Sequence, residues 1–304
     1  MCFLESFRKY PSSVNQVKFN IFTPTYRTKK IKDEETIFEN EFFKASLTGY
    51  KLSQLHKDIL DIILYEGDSN IEEMLKDISK AVRTFTLYQI QKKLYQNKEF
   101  KQIIENDKKR KKYTNNSWLK RKIKELTRAT INIEVKLENK KKMWIEFHII
   151  EEVKVIEYDD DNPRKQRFFI IFSKRFLDFL KSDILINYGN YLDDLIKLKT
   201  GQAKALARYM MSFNYKSYSE SLDSVMEKIG IRKNELTKQA FYNHKKRILS
   251  DLEGLKKLNI EIVETTKGDL LVKYEKLENI YFYYNSKEKR VFPTLPAPNK
   301  LLSP

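Results

Sequence analysis

Asn115-Asn116-Ser117-Trp118-Leu119-Lys120-Arg121-Lys122-Ile123-Lys124-Glu125-Leu126-Thr127-Arg128 is followed, after Ala129, by Thr130-Ile131-Asn132-Ile133-Glu134-Val135-Lys136-Leu137. In the first run Trp118, Leu119, Ile123 and Leu126 recur at helical spacing, and in the second the apolar residues fall at alternate positions. A period near 3.6 lays one apolar stripe along a helix, and a period of two lays one along a strand. The chain therefore turns from helix to strand within a residue or two. Asn115 and Asn116 precede the helix, where short polar side chains cap it. Lys120, Arg121, Lys124 and Arg128 lie largely outside the apolar stripe.

Downstream, Met143–Glu157 alternates as a second strand after a turn near Asn139–Lys141, and Gln166–Phe172 forms a third beyond a turn at Asp159–Pro163. Upstream, Leu52, Leu55, Ile59, Ile62 and Ile63 predict an amphipathic helix over Leu52–Tyr65, with Ser53 as N-cap and Gly67 as its stop. A further helix is expected over Ile71–Lys80, a strand over Val82–Thr86, and a helix over Leu87–Tyr95 capped by Thr86. Lys98–Lys112 is basic and polar, a loop or a charged helical extension. Before residue 45 the pattern is mixed, with Val14–Phe22 read as a strand and Pro24 as a turn. The order of helix, strand, two helices and a β-ribbon is that of a winged helix, with Asn115–Arg128 as recognition helix and the ribbon as wing.

The second half repeats this order. A short helix is expected at Lys174–Lys181 and another over Gly201–Phe213, with Ala203, Leu206, Ala207, Met210 and Met211 inward. Ser219 caps a helix over Glu220–Ile229, ended by Gly230. A long helix begins at Asn234 and runs to about Leu258, with Phe241, Ile248, Leu252 and Leu255 inward. Ile260–Glu264 and Leu270–Tyr274 make a second ribbon, turning at Lys267–Asp269. The fold expected is α+β, two tandem winged helices: residues 1–45 an N-terminal extension, 46–172 the first unit, 173–285 the second, 286–304 a tail.

The formal net charge is +17, from 59 Lys and Arg against 42 Asp and Glu, which points to a polyanionic partner. Nucleic acid fits best and an acidic membrane surface second; a lysine-rich proteome is the plainer explanation. One cysteine, Cys2, excludes a disulfide framework and implies a reducing compartment. No apolar stretch reaches membrane-spanning length and no signal-peptide layout opens the chain, so a cytoplasmic protein is expected.

A recognition helix needs donors for base edges and cations for phosphates on its outer face. The helix from Asn234 offers Lys238, Gln239, Tyr242, Asn243, Lys245, Lys246 and Arg247, with Arg232 and Lys233 just before it. The earlier helix offers Asn115, Asn116, Ser117, Lys120, Arg121 and Lys124. The alternative for each is a solvated helix face. Enzyme signatures are missing. Thr200-Gly201-Gln202-Ala203-Lys204 lacks the Gly-Lys-Ser/Thr ending of a P-loop. His56, His148 and His244 form no local metal pair, and Asp159-Asp160-Asp161 reads as an exposed turn. No catalytic group, cofactor or metal is expected.

With these residues in place, the chain resembles the TrfA-type plasmid replication initiators, within the tandem winged-helix, iteron-binding Rep proteins. The resemblance spans roughly residues 19–275. It rests on Phe38-Glu39-Asn40-Glu41 with the helix Leu52–Tyr65, on Thr84-Phe85-Thr86 leading into Tyr88-Gln89, and on Leu119–Leu126. Leu198–Phe213, Leu222–Gly230 and Lys245–Leu258 with its wing carry it in the second half. The resemblance implies a protein that binds repeated duplex sites (iterons) at a plasmid origin and helps open adjacent AT-rich DNA. It also implies recruitment of the host initiator and replicative helicase, and exchange between monomer and homodimer. A winged-helix transcriptional regulator would use the same helices and is the alternative.

Overall fold

A computed structural model of the chain describes residues 12–25, 30–41, 43–66, 82–97, 117–136, 142–156, 166–181 and 185–283. In chain order these form β1 (Ser12–Ser13), α1 (Val14–Lys18), β2 (Glu35–Glu39), β3 (Phe43–Thr48), α2 (Gln54–Glu66), β4 (Val82–Thr86), α3 (Leu87–Leu94) and α4 (Ser117–Arg128). There follow β5 (Thr130–Lys136), β6 (Lys142–His148), β7 (Ile150–Ile156), β8 (Arg167–Phe172), α5 (Lys174–Lys181), β9 (Leu185–Asn187), α6 (Leu192–Lys197) and α7 (Gly201–Met211). The last elements are β10 (Ser217–Ser221), α8 (Leu222–Lys228), α9 (Lys238–Leu249), α10 (Leu252–Lys256), β11 (Ile260–Glu264), β12 (Leu270–Glu275) and β13 (Tyr281–Tyr283). The fold is α+β with two winged-helix arrangements in tandem. Ile71–Lys80, the basic stretch Lys98–Lys112, Asn115, Asn116 and the turns at Asn139–Lys141 and Asp159–Pro163 lie outside the described residues, as does the tail.

The second winged helix runs α7, β10, α8, α9, β11, β12. Hydroxyl caps start α7, α8 and α9: Thr200 accepts from the Ala203 amide, Ser221 from Ser224 and Thr237 from Ala240. Such caps satisfy amides that have no partner inside the helix. Ser221 takes the place expected of Ser219 because Ser217–Ser221 pairs along its length with β12, so the helix cannot begin before Leu222. The sheet order is β10-β12-β11, and Gly268, at φ +83, makes the hairpin turn.

The single long helix expected from Asn234 to Leu258 is instead a 3-10 turn at Lys233–Glu235, then α9, then α10. Thr237 is extended and caps α9, so the helix starts there. At the other end Asp251 is buried and its Oδ2 accepts the Lys199 amide at 2.5 Å, which fixes a break between α9 and α10. The break turns Leu252 outward to 42% exposure, whereas Phe241, Ile248 and Leu255 are buried.

The first winged helix shows a rearrangement of the expected ribbon. Met143–Glu157 is not one strand: it divides at Ile149 into β6 and β7, which belong to different sheets. β4-β8-β7 is an antiparallel sheet matching β10-β12-β11, since in both the strand before the second helix pairs with the last strand. The wing of this half is therefore β7–β8. The hairpin β5–β6 is an insertion that joins β2 and β3 in the sheet β2-β3-β5-β6. Thr86 caps α3 through a capping box with Gln89, as its sequence suggests.

Val14–Phe22 is not a strand: Val14–Lys18 forms α1 and a turn follows. Asn20, at φ +53, ends the helix, and its Nδ2 donates to the Lys228 carbonyl at 2.9 Å. The buried apolar residues form one cluster running from Phe19 to Ile280, through both winged helices.

Where α2 meets α7 the contact is ionic. Arg208 Nη2 lies 2.7 Å from Asp58 and 3.0 Å from Asp61, and its Nη1 donates to Gln54 at 2.6 Å. Lys204 pairs with Asp58, Lys57 pairs with Asp61, and Tyr188 OH donates to Asp61 at 2.8 Å. Every one of these side chains is buried. Burial pushes the Lys57 amine down to about 8 against the pull of Asp61.

Candidate nucleic-acid interface

In α4 the apolar stripe Trp118, Leu119, Ile123 and Leu126 is buried, which turns the opposite face outward. Arg121, Lys124 and Arg128 are exposed, and Ser117 and Lys120 are half-buried. These five line an open groove with Tyr50 and Glu125. Gly49 makes the groove possible. At φ +79, a Cβ here would sit 2.2 Å from the Arg128 carbonyl oxygen, so only glycine lets the chain approach the end of α4 this closely. The sequence reading does not single out Tyr50 or Arg128 as contacts; Tyr50 reaches the groove only through this tertiary approach.

Lys122 and Glu125, polar by sequence, are buried beneath the groove. Glu125 Oε2 lies 2.9 Å from His56 Nε2 and 2.7 Å from Lys122 Nζ, and Oε1 is 3.5 Å from Arg121 Nε. The Ser53 amide donates to His56 Nδ1 at 3.1 Å, so the ring proton sits on Nε2 and is donated to Glu125. Burial would raise the Glu125 carboxyl, but hydrogen bonds from His56 and Lys122 and the Lys122 charge outweigh it and bring the group down to about 2. Burial lowers His56, against the opposing bond to Glu125. Both groups resist protonation more in the folded protein than in the unfolded chain. Their contribution is complete above the ordinary histidine value. It falls as pH drops below about 6.5 for His56, and from about 4.5 toward about 2 for Glu125. Thermal melts from neutral pH to pH 3 are expected to show this acid loss, and Glu125→Gln to flatten the part below 4.5. An unchanged acid limb in the variant would count against this account.

In α9 the buried residues Phe241 and Ile248 define the inner face. Lys238, Gln239, Tyr242, Asn243, Lys246 and Arg247 are exposed, Tyr242 at 59%. Gln239 Nε2 donates to Asn243 Oδ1 at 3.0 Å. That bond uses one of the two Gln239 amide hydrogens and one lone pair of the Asn243 carbonyl, and it sets the Gln239 carbonyl, an acceptor, beside the Asn243 amide, a donor. An acceptor beside a donor is the complement of the adenine edge in the major groove. The remaining sequence candidates lie at the margin. Lys245 is half-buried and pairs with Asp223, and Arg232 pairs with Glu235 at 2.7 Å. Lys233 is exposed, its amine 5.9 Å from the Phe241 ring centre. His244 is half-buried, 3.0 Å from Gln202 Nε2. The adjoining wing carries exposed Lys267 at its turn and exposed Lys273 on β12.

No helix among the described residues is long and apolar enough to cross a membrane. No protein-family model matches the chain, and no curated protein matches its sequence. Among solved structures, the chain is similar in fold to crystal structures of domains 2 and 3 of RctB. A selenomethionine form matches with a TM-score of 0.53 at 10% identity, over 87% of this chain and 98% of that one. A second structure of the same two domains matches with a TM-score of 0.53 at 8% identity, over 87% and 97%.

Proposed function

We propose that the protein is a replication initiator that binds repeated duplex sites at a plasmid origin. In this reading it promotes opening of AT-rich DNA and recruits the host initiator and replicative helicase, and it passes between monomer and homodimer. Its work is done by binding, without bond chemistry of its own. The observation that carries the reading is the outer face of α9, where Gln239, Tyr242, Asn243 and Lys246 stand exposed beside a β-wing. A helix so placed reads base edges while flanking cations hold phosphates. The cationic groove of α4 supports a second contact of the same kind. The likeness in fold to domains 2 and 3 of RctB supports the fold on which this reading rests.

A gel shift on direct repeats taken from a plasmid origin, coupled to a plasmid-maintenance assay, tests the reading. Binding with origin melting is the expected result. Maintenance lost without origin binding would count against it, and promoter binding without melting would favour a transcriptional regulator. Affinity is expected to fall steeply with salt: with about eight phosphate contacts, log K against log salt should have a slope of roughly −7. A slope near zero would remove the electrostatic basis of the proposal.

A further inference from the structure

His244 lies beside the reading face of α9 and not on it. Gln239, Asn243 and Lys246 are exposed at the centre of the outer face, and Phe241 and Ile248 are buried opposite them. One residue turns a helix by about 100°, so His244 stands at the rim next to Asn243, on the side that meets α7. Arg247, one turn on, is its exposed neighbour along that rim. The rims of a helix lying in the major groove face the sugar-phosphate backbone, while its centre faces base edges.

What distinguishes His244 is the way it is held. Gln202, in the first turn of α7, is 2% exposed, and its Nε2 lies 3.0 Å from His244 Nδ1. An amide nitrogen only donates, so Nδ1 accepts and the ring proton belongs to Nε2. That nitrogen has no hydrogen-bond partner among the described residues and reaches solvent. Burial and the Arg247 charge hold the imidazole below its ordinary value, so at neutral pH the ring carries no charge. The Thr200 hydroxyl donates to the Arg247 carbonyl at 3.3 Å, a second tie between the start of α7 and the same stretch of α9.

We infer that His244 donates from Nε2 to a backbone phosphate of duplex DNA beside Arg247, and that Gln202 is the positioning residue that aims it. The inference rests on the DNA-binding reading of α9. A neutral donor and a cation on one phosphate divide the work. Arg247 contributes charge, which displaces counterions and is screened by salt; His244 contributes a directed hydrogen bond, which displaces none.

Affinity for a random-sequence duplex, measured over a range of salt in mildly alkaline buffer, tests the inference, because a phosphate contact acts on every sequence. His244→Phe keeps a ring and removes the N–H. It should weaken binding roughly tenfold at every salt concentration and leave the slope of log K against log salt unchanged. Arg247→Gln should instead make the slope shallower by about one. His244→Gln returns an N–H near the place of Nε2 and should regain most of the loss, which a role in packing alone would not give. Gln202→Leu should bind between wild type and His244→Phe. The chain has three histidines, so nitrogen NMR spectra of histidine-labelled protein, assigned with His244→Phe, report the tautomer without DNA: Nε2–H in the wild type and a mixture in Gln202→Leu. His244→Phe and His244→Gln both leave Gln202 in place, so their comparison stands even where Gln202→Leu disturbs the packing of α7 on α9. A ring proton on Nδ1, a His244→Phe variant that binds as the wild type does, a His244→Gln variant as weak as His244→Phe, an unchanged slope in Arg247→Gln, or a Gln202→Leu variant with wild-type affinity and tautomer would each overturn the assignment and leave the DNA-binding reading standing. A wild type that binds no duplex would remove that reading, and this assignment with it.

Discussion

Arg208→Ala is expected to lower the unfolding free energy by about 3–5 kcal/mol, the range found when one member of a buried ion network is removed. Arg208 reaches both Asp58 and Asp61 and also Gln54, and all four side chains are 3% exposed or less. Without the guanidinium, Asp58 keeps Lys204, and Asp61 keeps Lys57 and Tyr188, but two buried carboxylates lose their shared cation. Burial already opposes the charge on Lys57 and Lys204, so neither lysine can readily supply more. Denaturant unfolding measures the loss directly, and a fall in melting temperature of roughly 10 °C should accompany it. A loss below about 1 kcal/mol would mean that water reaches the junction and takes over the role of Arg208. The variant bears on function too, because α2 and α7 open the two winged helices. Sliding one helix past the other would strand a charge, so the network holds the two halves in one arrangement.

The combined replacement of Lys238, Asn243 and Lys246 by Ala is expected to reduce affinity for a specific duplex toward its non-specific level. Each base contact is worth about 1–3 kcal/mol, and a phosphate contact weakens all sequences alike while making the salt slope shallower by about one. Asn243 is the residue whose loss should relax base preference, through its pairing with Gln239. Lys238 and Lys246 should act mainly on the salt slope. All three are exposed on α9, so the melting temperature should be unchanged. Binding that is unaltered in an intact triple variant would show that another face of the protein meets DNA.

Local chemistry made much of both winged helices legible. The apolar period of α8, the start of α4, the capping sequence at Thr86 and the β11–β12 hairpin all stand where short-range patterns put them. The break after α9 was not legible, for a definite reason. Phe241, Ile248 and Leu255 are spaced by seven, which keeps one helical stripe in phase across Ser250–Asp251. The break comes from Asp251 bonding to Lys199, far away in sequence. The division between β6 and β7 left a local trace. Ile149 and Ile150 are adjacent and both buried, which strict alternation on one strand does not permit. Sheet membership left none, because β5 finds its partner in β3, before the first winged helix. Of the candidate contacts, α9 presents Lys238, Gln239, Tyr242, Asn243, Lys246 and Arg247 outward, whereas Lys245 and Arg232 are engaged by Asp223 and Glu235. The ionic junction was hidden for a general reason: Asp58, Asp61, Lys204 and Arg208 on isolated helices resemble ordinary solvated charges.

β9 holds β1 on one side and β13 on the other, Ser13 opposite Leu185 and Tyr283 opposite the same residue. This small sheet cannot close until the ribosome has released Tyr283, however early the flanking helices form. A nascent chain halted after β12 would carry β9 with one flank bare, open to the wrong strand. Completion of this sheet thus waits on its most C-terminal strand, and fusions that delay or crowd that strand should lower soluble yield more than equal additions at a hairpin turn such as Gly268.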